Sequence, residues 1–260
     1  FHAGQLRTLQ RKIKRWRATE GPPKEVMFPQ EHHPGRLSQS DFTHMGSLGI
    51  TIGKQPFEHL LYHFTLTKSN WETGNVCFSE SFESLSEGFQ RATWELGGVT
   101  EFHQTDSMST AVNKDGNPEE FTRRYMALMD HYRVKPMRIN PGEAHENGDV
   151  EQSHFRFKQA TDQELMLRGS RDFVDRDEYE AFLRQVFKQR NSGRKHKIEI
   201  ERKTLNPLPE KKLDSFKEVE KSVSRNSTIL IDKNIYSVTS RLIGEQVKVR
   251  VHAERLEVRY

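Results

Sequence analysis

The chain has 260 residues, 33% hydrophobic and 30% charged, a size and balance that suit two or three folded units whose apolar residues are concentrated in periodic segments. Lys and Arg outnumber Asp and Glu by 41 to 37, a net charge of +4 that permits a polyanionic partner without requiring one. A single cysteine, Cys77, excludes an internal disulfide and a cysteine-type zinc site; with no apolar run near the roughly 18 residues of a membrane span and no signal-peptide core, a soluble, cytoplasmic protein is expected.

From the first residues onward, Leu6, Leu9, Ile13 and Trp16 recur at helical spacing and predict a helix over 5–17. Arg7, Arg11, Lys12, Lys14, Arg15 and Arg17 occupy its remaining surface, with no acidic residue up to that point. Two readings fit: the last helix of a helix-turn-helix unit contacting DNA, or a basic helix packed on its own domain. Gly21, Pro22 and Pro23 then stop the helix, so 1–19 reads as the end of a DNA-binding domain and 20–35 as a linker.

Strands are predicted at 37–43, 48–52 and 60–67, followed by a helix over 81–96 with Ser81 as its cap and Phe82, Leu85, Phe89 and Trp94 as core candidates. A short strand at 101–105 leads to Asp106. A helix opening at Asn117 or Pro118 carries Phe121, Tyr125, Leu128, Met129 and Tyr132 inward; a strand at 134–139, a helix at 149–167 and another at 175–189 follow. This order predicts a mixed sheet with an antiparallel start and crossover units, covered by helices, over 36–190. Residues 191–225, polar, basic and containing Pro207 and Pro209, read as a second linker. From Ser227 the period changes to two, through Ile229-Leu230-Ile231, Tyr236-Ser237-Val238 and Val247 to Val251, and predicts a small, incomplete β-barrel over 226–260. The chain opens at Phe1 without an initiator methionine and closes at Tyr260 directly after an alternating stretch, so both ends read as cuts through something longer.

Three carboxylates stand out. A metal-binding carboxylate is best held on a rigid element with its head in a cleft. Asp41 lies in the first strand; alone it reads as a solvent-facing aspartate. Asp106 follows the 101–105 strand, and ligands bind outside the carboxyl ends of strands in open α/β sheets, although a turn or cap aspartate would look the same. Glu151 follows Pro141-Gly142 and Asn147-Gly148 at the start of a helix, with His154 and Lys158 three and seven residues on along the same face; an acidic first turn is also what the helix dipole favours.

Taken together, GRLSQSDFTHM (35–45), LLYHFTLTKSNW (60–71), CFSESF (77–82), WELGGV (94–99), PGEAHENGDVEQSHFRFK (141–158) and LRGSRDF (167–173) make the chain similar, over essentially its whole length, to the IstA-type transposases of bacterial insertion sequences, within the DDE transposase and retroviral-integrase superfamily. The resemblance implies an α/β ribonuclease-H-like core, with the first aspartate on the first strand, the second after the fourth strand and the glutamate on a helix. It implies that Asp41, Asp106 and Glu151 hold two Mg2+ ions, with Mn2+ as a substitute. One ion would activate the attacking water or 3′-hydroxyl and the other would stabilise the departing oxygen, cleaving transposon ends and joining them to target DNA. It further implies DNA contact by Lys158, for which a salt bridge is the other reading, as well as a homo-oligomer that synapses two ends and an IstB-like, AAA-type ATPase helper. Ser107 departs from the asparagine that the family pattern places after the second aspartate.

Two other functions remain open at this point: a nuclease of the same fold that does not join strands, and a non-catalytic DNA-binding relic or regulator. The histidines at 32, 33, 44, 103, 145 and 154 lack zinc-hydrolase spacing and read as hydrogen-bonded, partly exposed imidazoles.

Overall fold

The computed structural model describes residues 3–22, 31–105, 118–137 and 148–260; of 3–4, 118–121 and 148–151 it describes the secondary structure alone. Residues 1–31 form one compact unit and 32–260 another. In the first, helix α1 (Ala3–Thr19) carries the anticipated apolar stripe, with Leu6, Leu9, Ile13 and Trp16 all exposed.

At the heart of the second unit, β1 (Leu37–His44), β4 (Leu60–Leu66), β5 (Glu72–Cys77), β6 (Phe102–Thr105) and β7 (Lys135–Met137) form a five-stranded sheet in the order β5-β4-β1-β6-β7. Strands β5, β4 and β1 pair antiparallel, while β6 and β7 run parallel to β1, so the sheet is mixed as its sequence order predicts. All of Leu60–Leu66 is buried, because both sheet faces are covered. Leu60, Tyr62, Phe64 and Leu66 face a core built with α2 (Phe82–Leu96) and α3 (Pro118–Tyr132), which supply Leu85, Phe89, Tyr125, Leu128, Met129 and Tyr132. Leu61 and Val76 belong to a second core with α4 (Gly148–Arg168) and α5 (Arg176–Ser192), where Phe157, Leu165, Tyr179, Leu183 and Phe187 pack.

The local signals for these helices act as the residue types require. Ser81 Oγ accepts the Ser84 N–H at the start of α2, Asp175 does the same for Glu178 in α5, and Gly97 closes α2 in the left-handed conformation at φ 87°. Trp94, expected in the core, instead lies at its edge, with its indole N–H donating to Tyr132 Oη.

Several segments differ from the expectation. The strand anticipated at 48–52 is a short 3-10 turn, Gly46–Leu48, followed by a two-residue β2 (Thr51–Ile52), which pairs with β3 (Gln55–Pro56) and β8 (Asp172–Phe173). Strand β5 was not anticipated, because Thr73-Gly74-Asn75 carries turn chemistry that burial against β4 overrides. Of the strand expected at 134–139, β7 occupies 135–137 and positions 138–139 lie outside the described residues. Within 191–225, read as linker, α6 (Lys195–Arg202) is helical, Leu205, Leu208 and Leu213 pack on the first core, and β9 (Lys217–Ser222) is a strand. Beyond it come β10 (Thr228–Ile231), β11 (Asn234–Ser237), β12 (Gln246–Val251) and β13 (Leu256–Arg259). They form a β10-β11 hairpin and a β13-β12-β9 sheet around Val223, Ile229, Ile231, Val247 and Val249, so this small all-β unit recruits a strand from before residue 226.

Candidate active site

Alternation along β1 decides what Asp41 meets. Opposite residues of an antiparallel pair share a sheet face, so the pairs Ser40↔Phe64 and Phe42↔Tyr62 face the first core, whereas Asp41↔His63 and Thr43↔Leu61 face α4 and α5. Asp41 is half-buried, and one of its carboxylate oxygens accepts the Phe42 N–H at 2.8 Å. The strand fixes its backbone.

Glu151 lies in the first turn of α4, and its side chain is outside the described residues. One turn later, His154 stacks on His63, with ring centroids 5.1 Å apart and planes 29° apart; Phe157 follows against both His63 and Phe187. The start of α4 therefore rests on the strand position opposite Asp41. Burial, with the neighbouring His63 and Lys158 adding to it, pushes the His154 imidazole down to about 3, so it is neutral at physiological pH. Lys158 is half-buried, with its ammonium pushed down by that burial, and among the described residues it makes no ion pair. Its predicted salt-bridge alternative therefore finds no described partner.

Beneath this contact is a charged cluster that sequence reasoning did not single out. The Glu72 carboxylate accepts from His63 Nε2 at 3.0 Å, Ser153 Oγ at 3.2 Å, Arg190 Nε at 2.6 Å and Arg194 Nη1 at 2.7 Å. Burial opposes ionisation of Glu72, but the His63 hydrogen bond and the Arg190 pair outweigh it and hold the carboxyl at about 2. The one available signal in the sequence was a histidine in the otherwise apolar and hydroxyl-bearing run LLYHFTL.

Asp106 and Ser107 lie outside the described residues, as does His145. The described part of β6 ends at Thr105, which pairs in parallel with Ser40, so Asp41 and Asp106 are each the next residue along the chain. The reading of His103 and His154 as partly exposed is corrected: both are buried, and the two ring nitrogens of His103 hydrogen-bond the hydroxyls of Ser38 and Ser40 at 2.9 and 3.0 Å, one as donor and one as acceptor. Cys77 is a buried thiol pushed up to about 12 by burial, in keeping with its reading as a small hydrophobe. Arg7, Arg11, Lys12, Lys14 and Arg15 all lie exposed on α1. No helix among the described residues is long and apolar enough to cross a membrane.

Residues 208–260 match the family described as the Mu transposase C-terminal domain. Over 207 residues the chain is 28% identical to the transposase for insertion sequence element IS21 of Pseudomonas aeruginosa, which covers 71% of this chain and 51% of that protein. The chain is thus similar to transposases of bacterial insertion sequences and, at its C-terminal end, to a transposase domain family. A protein of Sinorhizobium fredii described only as uncharacterized shares 46% identity with this chain over 258 residues, 98% of it and 51% of the relative. Among solved structures, a chain of the simian T-cell lymphotropic virus intasome, determined with the PP2A regulatory subunit B56 gamma, superposes at a TM-score of 0.51 with 13% identity, covering 92% of this chain and 85% of that one. That likeness is one of fold, and the fold is the ribonuclease-H-like one expected of a DDE transposase. β6 is the fourth strand of the sheet in chain order, as such a core requires. The chain spans about half the length of the curated relatives it matches.

Proposed function

We propose that this chain carries the catalytic core of a DNA transposase that cleaves at transposon ends and joins the freed 3′-hydroxyls to target DNA, with Asp41, Asp106 and Glu151 as its metal-binding residues. The observation that supports this most is the stacking of His154 on His63: it brings the turn of α4 that follows Glu151 against the strand position paired with Asp41. The donor set is all carboxylate oxygen, and Asp41 is half-buried on a fixed strand, which suits a hard divalent cation such as Mg2+ or Mn2+. When bound there, two such ions supply charge neutralisation at the scissile phosphate and acidify the attacking hydroxyl.

The chain's own residues do the rest. Asp41 anchors the site from β1, Asp106 follows the neighbouring β6 along the chain, and Glu151 closes it from α4. Lys158, one face of α4 further on and unpaired among the described residues, contributes a cation for a DNA phosphate. On α1, Arg7, Arg11, Lys12, Lys14 and Arg15 add further phosphate contacts from an exposed, wholly basic surface. Acting on two ends implies at least a dimer, and the family resemblance supplies an AAA-type, IstB-like ATPase as helper and the bacterial cytoplasm, on nucleoid DNA, as the setting.

The test is a strand-transfer assay on labelled element ends with the full-length protein and Mg2+. Asp41→Asn, Asp106→Asn and Glu151→Gln should each lower cutting and joining by about 10³-fold, since each removes several kcal/mol of transition-state charge stabilisation, while DNA affinity stays near wild type. Retained joining in any one of them would sink the assignment. Nicked product without joining would indicate a nuclease, and DNA binding without any Mg2+-dependent product would indicate a relic.

A further inference from the structure

Glu72 is fully buried, yet it holds a charge and is surrounded by partners from four elements. His63 comes from β4, Ser153 from α4, Arg190 from α5 and Arg194 from the residue that opens α6. Arg190, oriented by Glu72 through Nε, donates from Nη1 to the Arg156 carbonyl at 3.1 Å, a second tie to α4. The backbone of Glu72 is clamped as well: its N–H donates to Asn191 Oδ1 and its carbonyl accepts from Asn191 Nδ2.

A well-packed apolar cluster of the same volume would hold these elements together at least as firmly. What the ionic hub adds is direction, because each bond fixes one partner at one position. Two of those partners matter for the proposed site. His63 is the register partner of Asp41, and Ser153 stands two residues after Glu151. We propose that Glu72 is a positioning residue that locks the first turns of α4 to the strand pair carrying Asp41, and so sets where Glu151 sits relative to Asp41. This inference rests on the assignment of Asp41 and Glu151 as metal ligands. Groups that hold a ligand in place are commonly worth 10–100-fold in metal affinity or activity, and misplacement by about 1 Å has effects of similar size.

The experiment uses the full-length protein, with Mn2+ affinity measured by titration calorimetry alongside strand-transfer kinetics in Mg2+. Glu72→Gln is expected to lower kcat about 10–100-fold with KM for DNA unchanged, and to weaken Mn2+ binding by about 10-fold. Ser153→Ala, which removes only the α4 hydroxyl and leaves the Arg pairs intact, should move both readouts the same way by a smaller factor, and Ser153→Thr should restore them. If Glu72 acts through Glu151, its effect on Mn2+ affinity should vanish in a Glu151→Gln background. Full additivity of the two substitutions, or wild-type Mn2+ affinity and kcat in Ser153→Ala, would overturn the proposal, and the Ser153 pair decides it if Glu72→Gln fails to fold. Should Glu151→Gln alone leave Mn2+ affinity and joining intact, the metal-site assignment itself fails, whatever Glu72 does.

Discussion

His103 has no exposed surface, and its two ring nitrogens are taken by the hydroxyls of Ser38 and Ser40. Burial pushes its imidazole from 6.5 down to about 3, so the folded chain keeps it neutral where an unfolded chain takes up a proton. Stability from this group is full above pH 6.5 and is lost as pH falls from there towards 3; His154 acts in the same direction, and Glu72, held at about 2 against 4.5, extends the loss below pH 4.5. Each group contributes a slope of up to about 1.4 kcal/mol per pH unit. Urea midpoints measured from pH 7 to pH 4 should fall steadily, and His103→Gln should show a shallower fall whatever its absolute stability; an unchanged slope would contradict the assignment. At this scale, Asp41 and Glu151 were singled out because they lie in long, distinctive motifs, and Asp106 because it follows the 101–105 strand. Glu72 was not, since a lone glutamate between Trp71 and Thr73 becomes a buried hub only when four separate elements converge on it.

Helix α2 approaches β4 at Gly88, where an added Cβ would lie 2.3 Å from the Tyr62 ring. Gly88→Ala must therefore displace a fully buried tyrosine of the first core, and should destabilise the protein by about 1–3 kcal/mol, read as a lower urea midpoint at unchanged m value. A midpoint within error of wild type would mean that α2 packs further from the sheet. Elements with strong period and caps were readable in advance: α2 and α5 begin where Ser81 and Asp175 predict. Strand β5 and the two-residue β2 and β8 were not, because their residues suit turns and their conformation comes from the neighbouring strand. Helix α6 was hidden by its charge; only Ile198 and Glu201 turn inward, and Glu201 is buried because it accepts the N–H groups of Gly35 and Ser69.

Across the whole molecule, the net charge of +4 is modest, but the exposed cations of α1 are concentrated with no acidic residue among them. Affinity for DNA should fall steeply with salt, and replacing Arg11 and Arg15 by Ala should flatten the slope of log affinity against log salt by about one for each phosphate left without its cation. A slope unaffected by these changes would remove α1 from the DNA interface. The sequence by itself determined the fold class and the order of the main helices, and it singled out the three proposed carboxylates, because periodicity and local motifs are properties of neighbouring residues. Only the tertiary structure decided that Asp41 faces α4 and that His154 reaches its partner strand, since register depends on contacts between distant segments. It also decided that the polar stretch after α5 belongs to the packed core and to the β unit, where burial, and not composition, sets which residues are structural.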